Sequence, residues 1–398
     1  MSLSRHSQPV ADRIAIVGAG IGGLALALGL ARAGRRLRVY EQAPELREIG
    51  AGVSLSPNAV KGLRYLGVGE RLEALADEPP TQVTRHYANG KVLVNFRRHN
   101  TREQLGAPYL QAHRADLHDL LRERLAALQP DALVLDKELT VVSDGSASAY
   151  VLGFADGSQA GAELLVGADG LKSTVRREVF SEPAPEFSGF VAWRGLVTRD
   201  ELGAEQSRPG SMVFVAPGRM FVRYPVRHGA LQNFVAFSQV DEGWSAEGWS
   251  QTGDIDSVRD VFSDFHDDAR VVLRAFPGRR CHKWGLFSRR PLPRWVKGRA
   301  AVLGDAAHPM LPWLGQGAAM AIEDAVILCR SLIEFEGAEE ALRRYEKARR
   351  ERVTVIHRES LHGGERLMQQ DPDELARRPI VTEETLGLSH YDPATEPL

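Results

Sequence analysis

The sequence predicts an α/β fold, with a Rossmann-type nucleotide-binding domain, an inserted and mostly antiparallel β-sheet, and a C-terminal helix. Three observations support this prediction. The stretch from Arg13 to Glu41 has the pattern of a βαβ unit, in which a short apolar strand, a glycine-rich turn and an apolar helix precede a second strand. Between residues 187 and 238 the pattern changes to short alternating runs separated by turn residues. A charged helical pattern then follows residue 334 and indicates a solvated outer helix or an oligomer contact.

Three glycines mark the turn of the βαβ unit. Gly18 permits the tight turn, Gly20 lets a pyrophosphate approach the backbone, and Gly23 lets the helix pack closely on the strand. Glu41 ends the second strand, where a carboxylate can accept hydrogen bonds from both hydroxyls of a ribose. The helix start supplies free N–H groups and a positive dipole for phosphates. The complete pattern therefore predicts a dinucleotide site.

Composition limits the classes of function. The 398 residues carry a formal net charge of −2 without a basic cluster interleaved with aromatic residues, so nucleic acid is not expected as a partner. Cys281 and Cys329 form no Cys-x-x-Cys pair, which supports neither a disulfide framework nor a cysteine-built zinc site. No export signal is seen, and the apolar run at residues 14–31 is explained by a strand and a helix. We expect a cytoplasmic protein with no metal and no membrane partner.

The segment after the fingerprint leads into a second region of the fold. Gly50 and Gly52 predict backbone that passes close to a bulky group. A helix is expected next, with Ser56 as its N-cap and Pro57 in its first turn. Residues 81–96 alternate like a strand pair and interrupt the βα pattern, so we assign them to the inserted sheet.

Two later strands end in a glycine and an acid. Asp169 follows Gly167 after one apolar strand, and Asp305 follows Gly304 after another. At the carboxyl edge of a parallel sheet, such carboxylates point into the crevice where α/β folds bind ligands. An ordinary aspartate turn is the alternative for Asp169.

Further polar positions stand next to helix starts. Arg114 precedes an amphipathic helix, where its side chain can reach a phosphate or a ring, although a surface arginine is the alternative. Gly315, Gln316 and Gly317 begin a long helix whose N–H groups can hold developing negative charge. His308 could be a base or a metal ligand, but a structural histidine is favoured because no second ligand is nearby.

The motifs Gly18-x-Gly20-x-x-Gly23, Gly167-x-Asp169-Gly170 and Gly304-Asp305 together resemble those of the single-component FAD-dependent aromatic hydroxylases. The resemblance covers roughly residues 12 to 335. The runs Val191-Ala-Trp-Arg194-Gly-Leu and Gly304-Asp-Ala-Ala-His-Pro-Met-Leu-Pro312 are most similar to one branch of that family. This branch contains salicylate hydroxylase, 3-hydroxybenzoate 6-hydroxylase and 6-hydroxynicotinate 3-monooxygenase.

The resemblance implies FAD as the cofactor and NADH or NADPH as a transient co-substrate. It also implies a role for each motif residue. Gly18, Gly20 and Gly23 would bind the pyrophosphate, Glu41 the adenosine ribose and Arg114 the flavin nucleotide. Asp169 would serve the FAD and the transient NAD(P)H site, Asp305 would bind the ribityl or pyrophosphate region, and the flavin pyrimidine edge would lie at Gly315, Gln316 and Gly317.

The resemblance further implies hydroxylation of a small aromatic acid, salicylate-like or hydroxybenzoate-like, with O2 and through a C4a-hydroperoxyflavin. Such a site should favour deprotonation of the phenol and exclude water. Tyr224 and Arg223 are candidates for orienting or activating the substrate, with Pro312 closing the pocket. Strand alternation puts only one of the two neighbours inward, and an inward arginine would pair with a substrate carboxylate. An outward arginine would instead lie on a solvated face. Ser54 stands where some relatives acting on hydroxynicotinate carry a histidine, which makes that substrate less favoured.

Around these motifs we expect a discontinuous FAD-binding domain, a substrate domain, and a C-terminal helical segment with a loosely held tail. The FAD-binding domain is expected to comprise residues 12–75, 100–180 and 285–333. The substrate domain is expected to comprise residues 76–99 and 181–284, and the C-terminal segment residues 334–398. The five aromatic residues of the inserted sheet are mostly core, with one or two facing a ligand: Trp193, Phe214, Phe221, Tyr224 and Phe237. We expect a monomer or homodimer. The alternatives are a same-fold flavoprotein acting on a hydroxypyridine or non-aromatic ring, and a non-catalytic flavin-binding protein.

Overall fold

A computed structural model describes residues 12–46, 51–98, 100–145, 149–203, 206–207, 210–241, 244, 250–377 and 381–398. Its strands are β1 Asp12–Val17, β2 Arg38–Tyr40, β3 Gly52–Leu55, β4 Thr81–His86, β5 Val92–Arg97, β6 Leu110–His113, β7 Leu133–Val134, β8 Leu139–Asp144, β9 Tyr150–Phe154, β10 Gln159–Gly167, β11 Glu186–Thr198, β12 Ser211–Ala216, β13 Arg219–Val226, β14 Leu231–Gln239, β15 Ser250–Asp254, β16 Arg280–Ser288, β17 Val296–Lys297 and β18 Ala300–Val302.

Eleven α-helices connect or cover these strands in the described part of the chain. They are α1 Ile21–Arg32, α2 Pro57–Tyr65, α3 Gly69–Glu73, α4 Thr101–Leu105, α5 Arg114–Leu128, α6 Thr174–Phe180, α7 Arg199–Leu202, α8 Ile255–Val261, α9 Asp267–Ala275, α10 Gly317–Glu334 and α11 Ala338–Leu367. Short 3-10 turns cover Gly304–Ala306, Pro312–Leu314, Pro372–Ala376 and Leu388–His390. The predicted helix after Ser56 is confirmed, with Ser56 as its N-cap and Pro57 in its first turn.

The first sheet has the order β17-β18-β10-β1-β2-β7, with β9 pairing on β10 and β8 on β9. Strand β1 pairs in parallel with both β2 and β10, and β10 pairs in parallel with β18. Since the carboxyl ends of parallel strands lie at one edge, the turns after Val17, Gly167 and Val302 meet there. The predicted Rossmann-type core with an inserted, mostly antiparallel sheet is confirmed.

The second sheet has eight strands in the order β15-β16-β11-β14-β13-β12-β4-β5. All of its pairs are antiparallel except the parallel pair of β12 with β4. One face packs on α8 and α9 through an apolar core that includes Phe221 and Phe262. The other face carries Val235 and Phe237, which pack against Trp313 next to the first sheet. Alternate side chains along each strand of this sheet therefore point either to the helices α8 and α9 or towards the first sheet.

Two expectations for the C-terminal region are wrong. Helix α11 is not simply a solvated outer helix, because Tyr345, Arg349 and His357 are fully buried on one of its faces. Residues 381–398 are not a loosely held tail, because they pack back on the body of the protein. Tyr391, for example, lies under the Arg352 guanidinium, 4.0 Å from carbon to ring centre. In the described residues, no helix is long and apolar enough to cross a membrane.

Candidate active site

A cavity of about 470 Å³ lies where the two sheets and the C-terminal region meet. The carboxyl edge of the first sheet contributes Gly20 and Asp305 to its wall. The second sheet contributes Arg194 and Tyr224, and the C-terminal region contributes Glu383. Three parts of the chain that are far apart in sequence thus form one concave site.

The glycines of the βαβ turn and the glycine that begins α10 fall into two groups, according to the space beside them. A methyl group added at Gly20 or Gly317 would meet no protein atom within 4 Å, so the space beside these residues is open to a ligand. At Gly18 the same methyl group would collide with the backbone of Ala168, and at Gly23 it would collide with the carbonyl of Gly18. Gly18 also has a φ angle of +100°, which favours glycine. Two glycines are therefore needed for packing, and two leave room for a bound group.

Two helices begin at the cavity without a side-chain cap. Helix α1 starts after Gly20, and α10 starts after Gln316. Because the first N–H groups of a helix have no partner inside it, uncapped helix starts present donors and a positive dipole to a ligand. These two starts fit the anionic parts of FAD, namely its pyrophosphate and the pyrimidine edge that becomes negative on reduction. The Gln316 side chain itself is buried, donates a hydrogen bond to Ser56 at 3.2 Å and hydrogen-bonds Glu383, so its contact with a cofactor stays a prediction.

Arg114 and Asp305 bring opposite charges to the same wall. Arg114 is the first residue of α5 and lines the cavity, as does Asp305. Burial raises the pKa of Asp305, while the positive charges of His308 and Arg114 oppose that rise. The contacts of Arg114 with the flavin nucleotide and of Asp305 with the ribityl or pyrophosphate region stay predictions.

Two predicted cofactor-binding carboxylates shape backbone turns in the structure. Glu41 accepts hydrogen bonds from the N–H groups of Ala19 at 2.8 Å and Ala43 at 3.0 Å, which holds the fingerprint turn. Asp169 accepts from the Ser173 hydroxyl at 2.5 Å and from the Val175 N–H at 3.0 Å, at the start of α6. Burial raises the pKa of Asp169 against these hydrogen bonds. Direct contact of either carboxylate with a nucleotide stays a prediction.

Arg223 and Tyr224 lie on opposite faces of the second sheet, and Tyr224 is the one that lines the cavity. The Arg223 guanidinium donates to the carbonyl oxygens of Asp268 at 2.7 Å and Gln206 at 2.6 Å, on the far side of the sheet. The expectation that Arg223 could pair with a substrate carboxylate is therefore wrong. The alternative of a solvated face is also wrong, because Arg223 is buried. Alternation along β13 gives the physical reason, since neighbouring side chains point to opposite faces.

Tyr224 is held between two neighbouring elements. A methyl group at Gly52 would collide with the Tyr224 ring, which confirms that this part of the backbone passes close to a bulky group. The Ser54 hydroxyl hydrogen-bonds the phenols of both Tyr224 and Tyr109, and all three residues line the cavity. Burial raises the pKa of Tyr224 to about 12, so its phenol stays protonated at neutral pH. Gly50 lies outside the described residues.

Arg194 belongs to the family motif Val191-Ala-Trp-Arg194-Gly-Leu, and it lies on the second sheet and lines the cavity. It pairs with no acid among the described residues, and its Nε is buried without a hydrogen-bond partner. The Trp284 ring lies 5.3 Å from its guanidinium carbon. Burial, together with the positive charge of Arg114, lowers the pKa of Arg194. A charged residue in the middle of an apolar strand was the available sequence signal.

The remaining wall of the cavity is largely apolar. Val213, Val222 and Val235 lie side by side on neighbouring strands, and Pro312 and Phe237 face the same space. Of the five aromatic residues considered from the sequence, Tyr224 and Phe237 line the cavity, whereas the other three pack in the core against α8 and α9: Trp193, Phe214 and Phe221. Two of the five therefore face the cavity and three are core, and contact of those two with a ligand stays a prediction.

His308 takes a structural position. Its Nε2 lies 2.5 Å from the Asp324 carboxylate in a fully buried pair. In the described residues, no three acidic, histidine or cysteine side chains are grouped as metal ligands. The favoured interpretation of His308 as a structural residue agrees with this pairing.

The comparisons with known proteins agree with this geometry. Residues 12–360 match the family described as "FAD binding domain". The 3-amino-4-hydroxybenzoate 2-monooxygenase of Streptomyces cremeus is 37% identical over 368 residues, which cover 92% of this chain and 90% of that protein. The 6-hydroxynicotinate 3-monooxygenase of Pseudomonas fluorescens is 35% identical over 351 residues, covering 87% and 89%. A salicylate hydroxylase substrate complex superposes with a TM-score of 0.80 at 26% identity, covering 98% of this chain and 99% of that chain.

The match extends over both sheets and over most of the length of each relative. An open crevice built from glycines and uncapped helix starts fits FAD, and a cavity with a protonated tyrosine and an arginine lies beside it. The chain therefore belongs to the FAD binding domain family, and it is an NAD(P)H-dependent flavoprotein monooxygenase of the aromatic hydroxylase type.

Proposed function

We propose that this monooxygenase hydroxylates a small hydroxylated aromatic acid of the salicylate or hydroxybenzoate type. The observation that carries the proposal is Arg194, which lines the cavity with its Nε buried and pairs with no acid among the described residues. Removing an arginine from water is costly unless an anion compensates for it. A substrate carboxylate supplies that anion, with the two parallel hydrogen bonds that a guanidinium fork offers.

The aromatic ring of such a substrate fits the apolar wall. Val222, Val235 and Phe237 give this wall its apolar surface, and Pro312 closes the side towards the first sheet. An apolar lining keeps water away from the reacting ring. The relatives named for hydroxynicotinate and aminohydroxybenzoate act on rings of the same size that also carry a carboxylate.

Two features favour ionisation of the substrate phenol. The positive charges of Arg194 and Arg114 lie at the same cavity, and nearby positive charge lowers the pKa of a phenol. Tyr224 stays protonated at neutral pH, so its O–H can donate a hydrogen bond to a phenolate but cannot remove a proton. We therefore assign Tyr224 to orienting the substrate and leave the base unassigned.

When FAD is bound and reduced by NAD(P)H, it supplies the oxygen-activating chemistry. The residues proposed to hold it are those of the open crevice, with Gly20 at the pyrophosphate, Arg114 and Asp305 along the nucleotide, and Gly315 to Gly317 at the pyrimidine edge. We also propose that Glu41 binds the adenosine ribose and that Asp169 serves the FAD and the transient NAD(P)H site, as the resemblance implies. We also propose the domain bounds given from the sequence, a monomer or homodimer, and a cytoplasmic location.

The test is a substrate panel with the purified, FAD-loaded protein. Salicylate, 3-hydroxybenzoate, 3-amino-4-hydroxybenzoate and 6-hydroxynicotinate are incubated with NADH or NADPH, and the hydroxylated product is measured by mass spectrometry. We expect at least one of the acids to yield a product with an added oxygen. NAD(P)H loss alone does not count, because it can come from peroxide release. Hydroxylation of rings without a carboxylate, in preference to the acids, would contradict the proposal.

A further inference from the structure

The last described segment of the chain, residues 381–398, completes the wall of the cavity. Val381, Thr382 and Glu383 line it, while the rest of the segment is tied to the FAD-binding core. Lys61 donates to the carbonyl oxygen of Ser389 at 3.2 Å. Arg330 donates to the carbonyl of Pro393 at 3.0 Å. These contacts fix the segment in place, so the side chain at position 383 has a defined position in the site.

Glu383 forms a buried ion pair with Arg98, which also lines the cavity. Arg98 is 3% exposed and Glu383 is 8% exposed, and their side chains lie 2.5 Å apart. The Arg98 guanidinium also stacks on the Tyr109 ring, at 4.4 Å from its centre. A second acid, Glu384, pairs with the same arginine at 2.7 Å, but it is largely exposed and does not line the cavity. The two acids and one arginine leave an excess of one negative charge.

The charges at the cavity are arranged along one wall. Tyr109 feels the charge of Glu383 at one end, and Tyr224 feels the charge of Arg194 at the other. Ser54 interacts with both tyrosines and so lies between them. The cavity wall therefore carries an acid near Tyr109, to which Arg98 links it, and an arginine near Tyr224. A molecule lying along this wall meets a hydrogen-bond acceptor at one end and a cation at the other.

We propose that Glu383 is a specificity-determining residue that accepts a hydrogen bond from an amino or hydroxyl group on the substrate ring, away from the carboxylate. The inference rests on the proposed function, because it assumes that Arg194 binds the carboxylate of an aromatic acid. A carboxylate is a stronger acceptor than a neutral group, so it favours rings with a donor at this end over rings with a methyl group. The preferred substrates are then aromatic acids that carry a second polar substituent.

A purely structural role makes a different prediction. If Glu383 served only to pair with Arg98, Glu384 could take over that role, because it already pairs with the same guanidinium. Loss of either acid would then have similar consequences for ligand binding. If Glu383 recognises the substrate, its loss changes the selectivity between ligands, whereas the loss of Glu384 does not. Glu384 is therefore the matched control.

The experiment measures ligand binding to the oxidised, FAD-loaded protein through the change in flavin absorbance. The ligands are matched pairs of benzoates that carry either an amino or a methyl group, at the meta position in one pair and at the para position in the other. In the wild type we expect the amino compound of at least one pair to bind about tenfold more tightly than the methyl compound. Glu383→Met should abolish that preference and Glu384→Met should retain it.

Each outcome has a defined meaning. Equal preferences in the wild type and in Glu383→Met would overturn the inference, even if both proteins hydroxylate aromatic acids. No binding of any benzoate to the wild type would instead count against the proposed function. Should Glu383→Met fail to fold, Glu383→Gln keeps the size of the side chain without its charge. A full amino preference in folded, FAD-loaded Glu383→Gln would overturn the inference as well.

Discussion

The molecule contains two groups of charges that differ in how deeply they are buried and in how they are paired. The paired cluster lies between α10 and α11. It consists of Glu323 and Asp324 on α10, Arg349 on α11 and His308, with Arg352 at its edge. Arg349 lies 2.5 Å from Glu323 and 2.8 Å from Asp324, and all three are fully buried. The cavity charges, by contrast, include Arg194, which pairs with no acid in the described part of the chain.

This difference separates a structural role from a binding role. In the paired cluster, mutual attraction and hydrogen bonds offset the cost of burial, and the cluster joins α10 to α11. The charges of Glu323 and Asp324 outweigh burial and hold the pKa of Arg349 well above its ordinary value. At Arg194, which is partly buried, no acid among the described residues offsets the loss of contact with water, and its pKa is lowered. A ligand that brings an anion recovers that cost.

The largest expected effect comes from breaking the paired cluster. Arg349→Met leaves two buried carboxylates without their shared partner, so the free energy of unfolding should fall by about 3–5 kcal/mol. Urea denaturation followed by circular dichroism measures this change. Arg352→Met is the matched control, because Arg352 also pairs with Glu323 but is partly exposed. Equal losses in the two variants would contradict the distinction.

A titration of stability tests the same region. Burial and the neighbouring His308 lower the pKa of His357 to about 4, below its ordinary value near 6.5. Between these two values the unfolded chain binds a proton that the folded protein does not, so stability falls as pH falls from about 6.5 to about 4. The loss assigned to His357 is about 3 kcal/mol. His357→Leu should reduce the pH dependence of urea unfolding over this range by that amount, and an unchanged slope would contradict the assignment.

The comparison is sharpened by two arginines on neighbouring parts of the second sheet. Arg194→Met should weaken the binding of aromatic acids by about 1.5–3 kcal/mol, which is about 10- to 100-fold, without loss of stability. Arg223→Met should lower stability but leave ligand affinity largely unchanged, because Arg223 bonds to backbone carbonyls on the far face. Flavin-absorbance titration measures the affinity. The reverse pattern would show that Arg194 is structural.

The smallest expected effect concerns Asp305. Asp305→Ala removes a carboxylate that lines the crevice, so FAD affinity should fall by about 1 kcal/mol, or about fivefold. Fluorescence of FAD released on dilution measures this retention. Asp156→Ala is the control, since Asp156 is exposed, pairs with Lys137 and does not line the cavity, so its loss should leave FAD release unchanged. Unchanged FAD retention in Asp305→Ala would contradict the proposed cofactor contacts.

The cofactor half of the site was predictable because its signals are local. Gly18, Gly20 and Gly23 lie within six residues and act through backbone geometry, so their spacing alone indicates the turn. Asp305 directly follows a strand, and the carboxyl edge of a parallel sheet is a known position for ligands. None of this depends on how distant segments pack.

The substrate half was harder to predict, because its residues meet only through tertiary packing. Arg98 and Glu383 are 285 residues apart in the chain, and no local pattern links them. For Arg223 and Tyr224 alternation predicts opposite faces, but not which of the two faces the cavity. That choice depends on whether a sheet face packs against helices or against the other sheet. The C-terminal segment looked like a tail because its short turns have no apolar periodicity.

The direct pairing of β10 with β18 has a consequence for biosynthesis. These strands are hydrogen-bonded neighbours, yet six of the eight strands of the second sheet lie between Gly167 and Ala300 in the chain. At ordinary rates of translation, on the order of ten seconds separate the emergence of the two strands from the ribosome. The inserted sheet can fold during that interval, whereas the edge that holds Asp305 and the start of α10 forms only afterwards. Loading with FAD is therefore a late event in the maturation of this protein.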